Sequence, residues 1–139
     1  MPVCDLRKVY DTIIRPGTEY CSTIYHSLIP RYMAGRLESV QRQALKIIYG
    51  WNKDLDQMFD DGLIETLEDR REKACLKFAI KAEKSPRFCS WFKENNSQRV
   101  VRPTTRRKYF ERNCRTERMR SNPITYLTRK LNDHYEDAE

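Results

Sequence analysis

The sequence predicts an all-α fold, with a small helical bundle followed by an extended basic segment and a short C-terminal helix. Apolar residues recur at three-and-four spacing through successive stretches bounded by proline, glycine and capping residues. No stretch shows the two-residue alternation of a half-buried strand. The expected segments are residues 1–94 for the bundle, 95–120 for the basic stretch and 121–139 for the last helix with an acidic tail.

Leu6, Val9, Tyr10, Ile13 and Ile14 form the first amphipathic pattern, which Pro16 should break or kink. Tyr20, Cys21, Ile24, Tyr25 and Leu28 mark a second, short helix closed by Pro30. From Arg31 to Tyr49 the stripe Met33, Leu37, Val40, Ala44, Ile47 and Ile48 marks a third, ended by Gly50 where a left-handed cap costs little. Trp51 to Glu65 is rich in Asp and reads as a loop with one short helical turn.

Thr66, followed three residues later by Asp69, approximates a capping box and opens a helix to about Lys84, before Ser85-Pro86. At 100° per residue Arg70, Lys73, Lys77, Lys81 and Lys84 fall within an arc of about 90°, and Cys75, Phe78, Ala79 and Ala82 lie opposite. A cationic ridge of this kind fits either phosphate contact or an ordinary solvated face. A further turn is expected around Phe88 to Phe92, and Ser121-Asn122-Pro123 caps a short final helix through Tyr126, Leu127 and Leu131.

The net charge is +7, and its placement is informative. Between Asn95 and Arg120 the cations Arg99, Arg102, Arg106, Arg107, Lys108, Arg112, Arg115, Arg118 and Arg120 face only Glu111 and Glu117. That segment alone carries the charge excess of the whole chain, which is the footprint of a polyanion partner or of a solvated basic linker. Cys4, Cys21, Cys75, Cys89 and Cys114 are odd in number and lack zinc spacing, so a reducing compartment, cytoplasmic or nuclear, is expected. No apolar run approaches the ~20 residues that span a bilayer, so no membrane partner is predicted.

Phe59-Asp60-Asp61-Gly62 superficially matches the aromatic-x-Asp-Asp hairpin with which polymerases hold metal ions, but its flanks show no strand pair and no third carboxylate is at hand. Cys21 and His26, five apart, miss the spacing that would stack them as a nucleophile pair. No P-loop, dinucleotide fingerprint or zinc knuckle is present, so no catalytic residue, metal or cofactor is predicted. Tyr109-Phe110, beside Arg106-Arg107-Lys108, could stack on bases or pack on the bundle.

Four blocks, in order, resemble one family, the non-LTR (LINE-like, jockey-like and RTE-like) retrotransposon reverse transcriptases, in the thumb and post-thumb region. Tyr10 to Tyr20, with Ile14-Arg15-Pro16 and Glu19-Tyr20, is similar to that family's IRP-x-x-EY segment. Leu37-Glu38-Ser39-Val40-Gln41 with Ala44-Leu45-Lys46-Ile47-Ile48 resembles its LE-x-VQ-x-x-AL-[KR]-II helix. Leu67 to Glu72 with Cys75-Leu76-Lys77-Phe78-Ala79 resembles L-x-x-RRE-x-x-CLKFA, and Asn122 to Thr128 resembles SPIPYLT.

The resemblance implies a thumb-like bundle that grips template-primer RNA or DNA, duplex or single strand, through phosphate contacts that position rather than specify. It also implies that the fingers and the palm with its metal-binding aspartates lay upstream of Met1 and are absent. Arg36, Arg42 and Lys46 then join the Arg70 to Lys84 ridge and Arg106-Arg107-Lys108 as expected contacts. A protein-interaction role, with self-association or a partner on a surface that the palm would cover, is the alternative, as is a functionless remnant. The chain departs from the family pattern at Gly17-Thr18, where Val-Leu is common, in Tyr25-His26-Ser27, where Trp-x-Pro is, and in Asp61-Gly62-Leu63, where Leu-Gly-Leu is; buried, each change should cost ~1–3 kcal/mol.

Overall fold

Helix α1 (Val3–Val9) runs through a π-helical turn (Tyr10–Ile14) into α2 (Arg15–Glu19) in the computed structural model, which describes residues 2–95 and 107–137. The expected break at Pro16 does not occur. The widened turn, in which the Arg15 N–H donates to the Tyr10 carbonyl, lies just ahead of the proline, and Pro16 sits in the first turn of α2, where a missing N–H costs no bond. The rod ends instead at Cys21, whose φ of 55° is left-handed, and the short α3 (Ser22–Tyr25) follows.

The fold is all-α, with α4 (Arg31–Tyr49), α5 (Leu55–Asp60), α6 (Leu67–Lys84), a 3-10 turn (Cys89–Trp91), α7 (Glu117–Arg120) and α8 (Pro123–Glu136) completing it. Among the described residues there is no strand, only one isolated antiparallel bridge between Glu94 and Tyr109. The chain divides into two compact units, one of Met1–Ser22 with Ile29–Glu72, the other of Thr23–Leu28 with Lys73–Glu139.

In the first unit, Tyr10, Ala44, Leu45, Ile48, Leu55 and Ile64 form the core, with Leu6, Tyr49, Met58 and Phe59 packed against it. The stripe predicted for α4 is thereby rotated. Gln41, Ala44, Leu45 and Ile48 face inward, whereas Met33, Val40 and Ile47 are exposed. Gln41 is tolerated there because its Nε2 donates to the Glu65 carbonyl at 3.0 Å. Part of the expected loop is α5, capped by Asp54, whose carboxylate accepts from Asp56 N and Gln57 N.

In the second unit, Cys75, Ala79 and Ala82 of α6 pack with Phe92, Tyr109, Leu127 and Leu131. Asn122 Oδ1 caps α8 through Ile124 N at 3.0 Å, and α8 runs for 14 residues, longer than the short helix expected. The positions at which the chain departs from the pattern it resembles divide between exposed and half-buried, so the expected cost is removed only at the exposed ones, and Ser27 Oγ is buried with no hydrogen-bond partner among the described residues. Gly17, Asp61 and Gly62 are exposed, Thr18 and Tyr25 to Ser27 half-buried, and a side chain added at Gly17 would meet nothing within 4 Å.

Candidate nucleic-acid interface

The basic residues chosen from sequence cluster on α6, whose start is fixed twice. Thr66 Oγ1 accepts from Asp69 N at 3.1 Å, as the capping pattern predicts. A second cap comes from α4, where the Glu38 carboxylate accepts from Leu67 N at 3.3 Å and Glu68 N at 2.8 Å. Arg71, fully buried, places Nη2 3.8 Å from Glu38 Oε1 and makes no hydrogen bond among the described residues.

Arg70 leaves the ridge. It is half-buried, bonded through Nε to Glu19 and 3.5 Å from Glu65, and the hydrogen bond to Glu19 holds its guanidinium above its ordinary pKa despite partial burial. Its cationic neighbours in the same unit, Arg7 and Arg15, line a cavity of about 130 Å³ with it. Asp11 pairs with Arg7 at 3.1 Å and with Arg15 at 2.7 Å, so that cavity is charge-balanced.

From Lys73 onward the ridge is as predicted. Lys73, Lys77, Lys81 and Lys84 are all exposed while Cys75, Ala79 and Ala82 opposite them are buried. Lys77, Lys81 and Lys84 make no ion pair or hydrogen bond among the described residues. Successive members stand about one turn apart, so the row presents positive charge along one line on the helix.

On α4, Arg36 is exposed and makes no ion pair among the described residues, whereas Arg42 bonds Asp56 at 2.7 Å and lies over the Phe59 ring at 5.5 Å. Lys46 is half-buried, 5.5 Å from the centre of the Trp51 ring. Arg106 falls outside the described residues. Arg107 is tied to Glu111, to Glu136 at 3.3 Å and to Asp133 at 4.0 Å. Lys108 donates to Glu83 at 2.9 Å and sits 3.9 Å from the centre of the Tyr135 ring, and the Glu83 bond raises its pKa.

Tyr109 is buried and so cannot stack on a base, while its neighbour Phe110 is 56% exposed. Burial, and a hydrogen bond to Glu83, push the Tyr109 phenol up to about 12. Glu83, unremarkable in the sequence, organises this region. Its carboxylate accepts from Tyr109, from Lys108 and, at 2.7 Å, from Tyr135. Burial acts to raise its pKa, and these three bonds outweigh burial and lower it.

Asp60 and Asp61 end and cap α5, with Gly62 at a φ of 70°, and neither lies on a strand. Among the described residues no three His, Cys, Asp or Glu side chains are grouped closely enough to hold a metal ion. No described helix is long and apolar enough to cross a membrane. Compared with known proteins, the chain matches no family model, no curated protein and no solved structure.

Proposed function

We propose that the chain is a non-catalytic, nucleic-acid-gripping piece of the reverse-transcriptase thumb kind, which contacts phosphates without sequence preference through Lys73, Lys77, Lys81 and Lys84. The observation that carries this reading is the exposed lysine row on α6, three of whose members have no ion pair among the described residues. Cations a turn apart with no carboxylate engaging Lys77, Lys81 or Lys84 among the described residues leave that line of charge open to phosphates.

The polar residues of the first three blocks engage one another within the first unit. Glu19 of the first bonds Arg70 of the third, Glu38 of the second caps and faces the third, and Gln41 bonds the Glu65 carbonyl just before it. The test is binding to an RNA/DNA hybrid as a function of salt, with and without the row.

A second reading has its own observation. Met33, Val40 and Ile47, seven apart on α4, are all exposed, which is the spacing of a seam for another helix. Sedimentation that shows concentration-dependent dimers, abolished by Val40→Glu and unaltered by nucleic acid, would favour that role.

A further inference from the structure

The second unit contains a cleft of about 220 Å³ whose walls combine exposed aromatic faces with cations. Trp91 and Phe110 line it, 37% and 56% exposed, together with Lys93 and Arg112. Trp91 is held from behind, its ring centroid 4.7 Å from that of Phe88, which in turn lies 6.3 Å from Phe78. Phe110 is fixed through its backbone, its N–H donating to the Lys93 carbonyl at 2.8 Å beside the Glu94–Tyr109 bridge. Two partly exposed aromatic side chains thus line the cleft from backbone held by these contacts.

The charge around them is positive and uncompensated. Lys93 and Arg112 make no ion pair among the described residues. Glu111, on the same wall, is neutralised by Arg107 and by Arg129 at 2.7 Å. Open aromatic rings flanked by free cations are the requirements for stacking unpaired bases while holding their phosphates, and every base offers a π-face, so such a site is tolerant of sequence.

We infer that the Trp91–Phe110 cleft binds single-stranded nucleic acid by stacking an unpaired base, with Lys93 and Arg112 on the adjoining phosphates. This rests on the nucleic-acid reading above and adds a second contact, chemically distinct from the lysine row, which needs only phosphates. A duplex, whose bases are already stacked, engages the row and not the cleft.

The test uses the full chain with Trp51→Phe, so that Trp91 alone reports, and a labelled thymidine homopolymer of about 15 nucleotides, the upper end of the site size of a small single-strand binder. Saturable quenching of Trp91 by the oligonucleotide, with no quenching by a duplex of equal length, is expected. Phe110→Ala and Arg112→Ala, both at exposed positions, should each weaken it about tenfold, and Phe110→Tyr, which keeps an aromatic ring and leaves Trp91 the sole reporter, should bind as the parent does, with circular dichroism unchanged. Binding of the labelled strand with Trp91 emission unmoved would overturn the cleft and leave the row. Equal quenching by the duplex, or quenching by an apolar peptide instead of the oligonucleotide, would overturn it too. No binding of either nucleic acid would overturn both.

Discussion

Asn132 holds both backbone groups of Tyr109. Tyr109 N donates to Asn132 Oδ1 at 2.9 Å, and Asn132 Nδ2 donates to the Tyr109 carbonyl at 3.0 Å. Both residues are buried, so the carboxamide does for Tyr109 what a neighbouring strand would do. Asn132→Ala orphans a buried donor and a buried acceptor together, and urea unfolding should show a loss of about 2–4 kcal/mol. A loss under 1 kcal/mol would mean that the two bonds are replaced by water.

Glu38 and Arg71 make an asymmetric pair. Glu38→Ala removes two capping hydrogen bonds from the start of α6 and leaves a buried guanidinium without its counter-charge, which should cost about 3–5 kcal/mol. Arg71→Met keeps the volume and removes the desolvated charge, so thermal melts should show it near neutral or stabilised. Equal destabilisation by both changes would show that the guanidinium contributes more than volume.

Stability should fall on both sides of neutral pH. Glu83 and Glu111 have lowered pKa values in the fold; burial opposes this, and bonds from Tyr109, Lys108 and Tyr135, and from Arg129 and Arg107, outweigh it. Their contribution is full above the unfolded value, near 4.3, and is lost as pH drops through the folded one. Tyr109, raised to about 12, contributes fully below its unfolded value of 10 and loses that contribution between 10 and 12. Denaturation at a series of pH values should show Glu83→Gln flattening the acid limb and Tyr109→Phe the alkaline one. Unchanged limbs would remove these groups from the account.

Asp60 and Asp61 should be dispensable for binding. Since they end a helix, Asp60→Asn with Asp61→Asn should leave hybrid affinity within about twofold, surface changes being worth less than ~0.5 kcal/mol. Nucleotide incorporation by the chain that this double change abolishes would relocate the active site to it.

The local signals were readable in the sequence and the distant partners were not. Thr66 with Asp69, Asn122 with Pro123, and the Lys73 to Lys84 row depend on residues within a few turns of one another, and all stand where periodicity and capping put them. Asp54 with Gln57 three residues later is the same kind of signal for α5, masked by the run of aspartates around it. By contrast, nothing local marks Arg70, Arg107 and Lys108 as engaged, because Glu19, Glu136 and Glu83, which pair with them, lie far along the chain, and the same Glu83 decides between the two readings of Tyr109. The rotation of α4 came from Gln41, whose inward position depends on the Glu65 carbonyl.

The most direct test of the lysine row is the affinity of the chain for a fluorescent RNA/DNA hybrid across a range of salt, compared with Lys77→Ala, Lys81→Ala and Lys84→Ala combined. Four engaged phosphates predict a slope of log affinity against log salt of roughly −4, which the triple variant should reduce to about −1 with a matching loss of affinity. An affinity independent of salt, or a variant that binds as the parent does, would contradict the proposed grip.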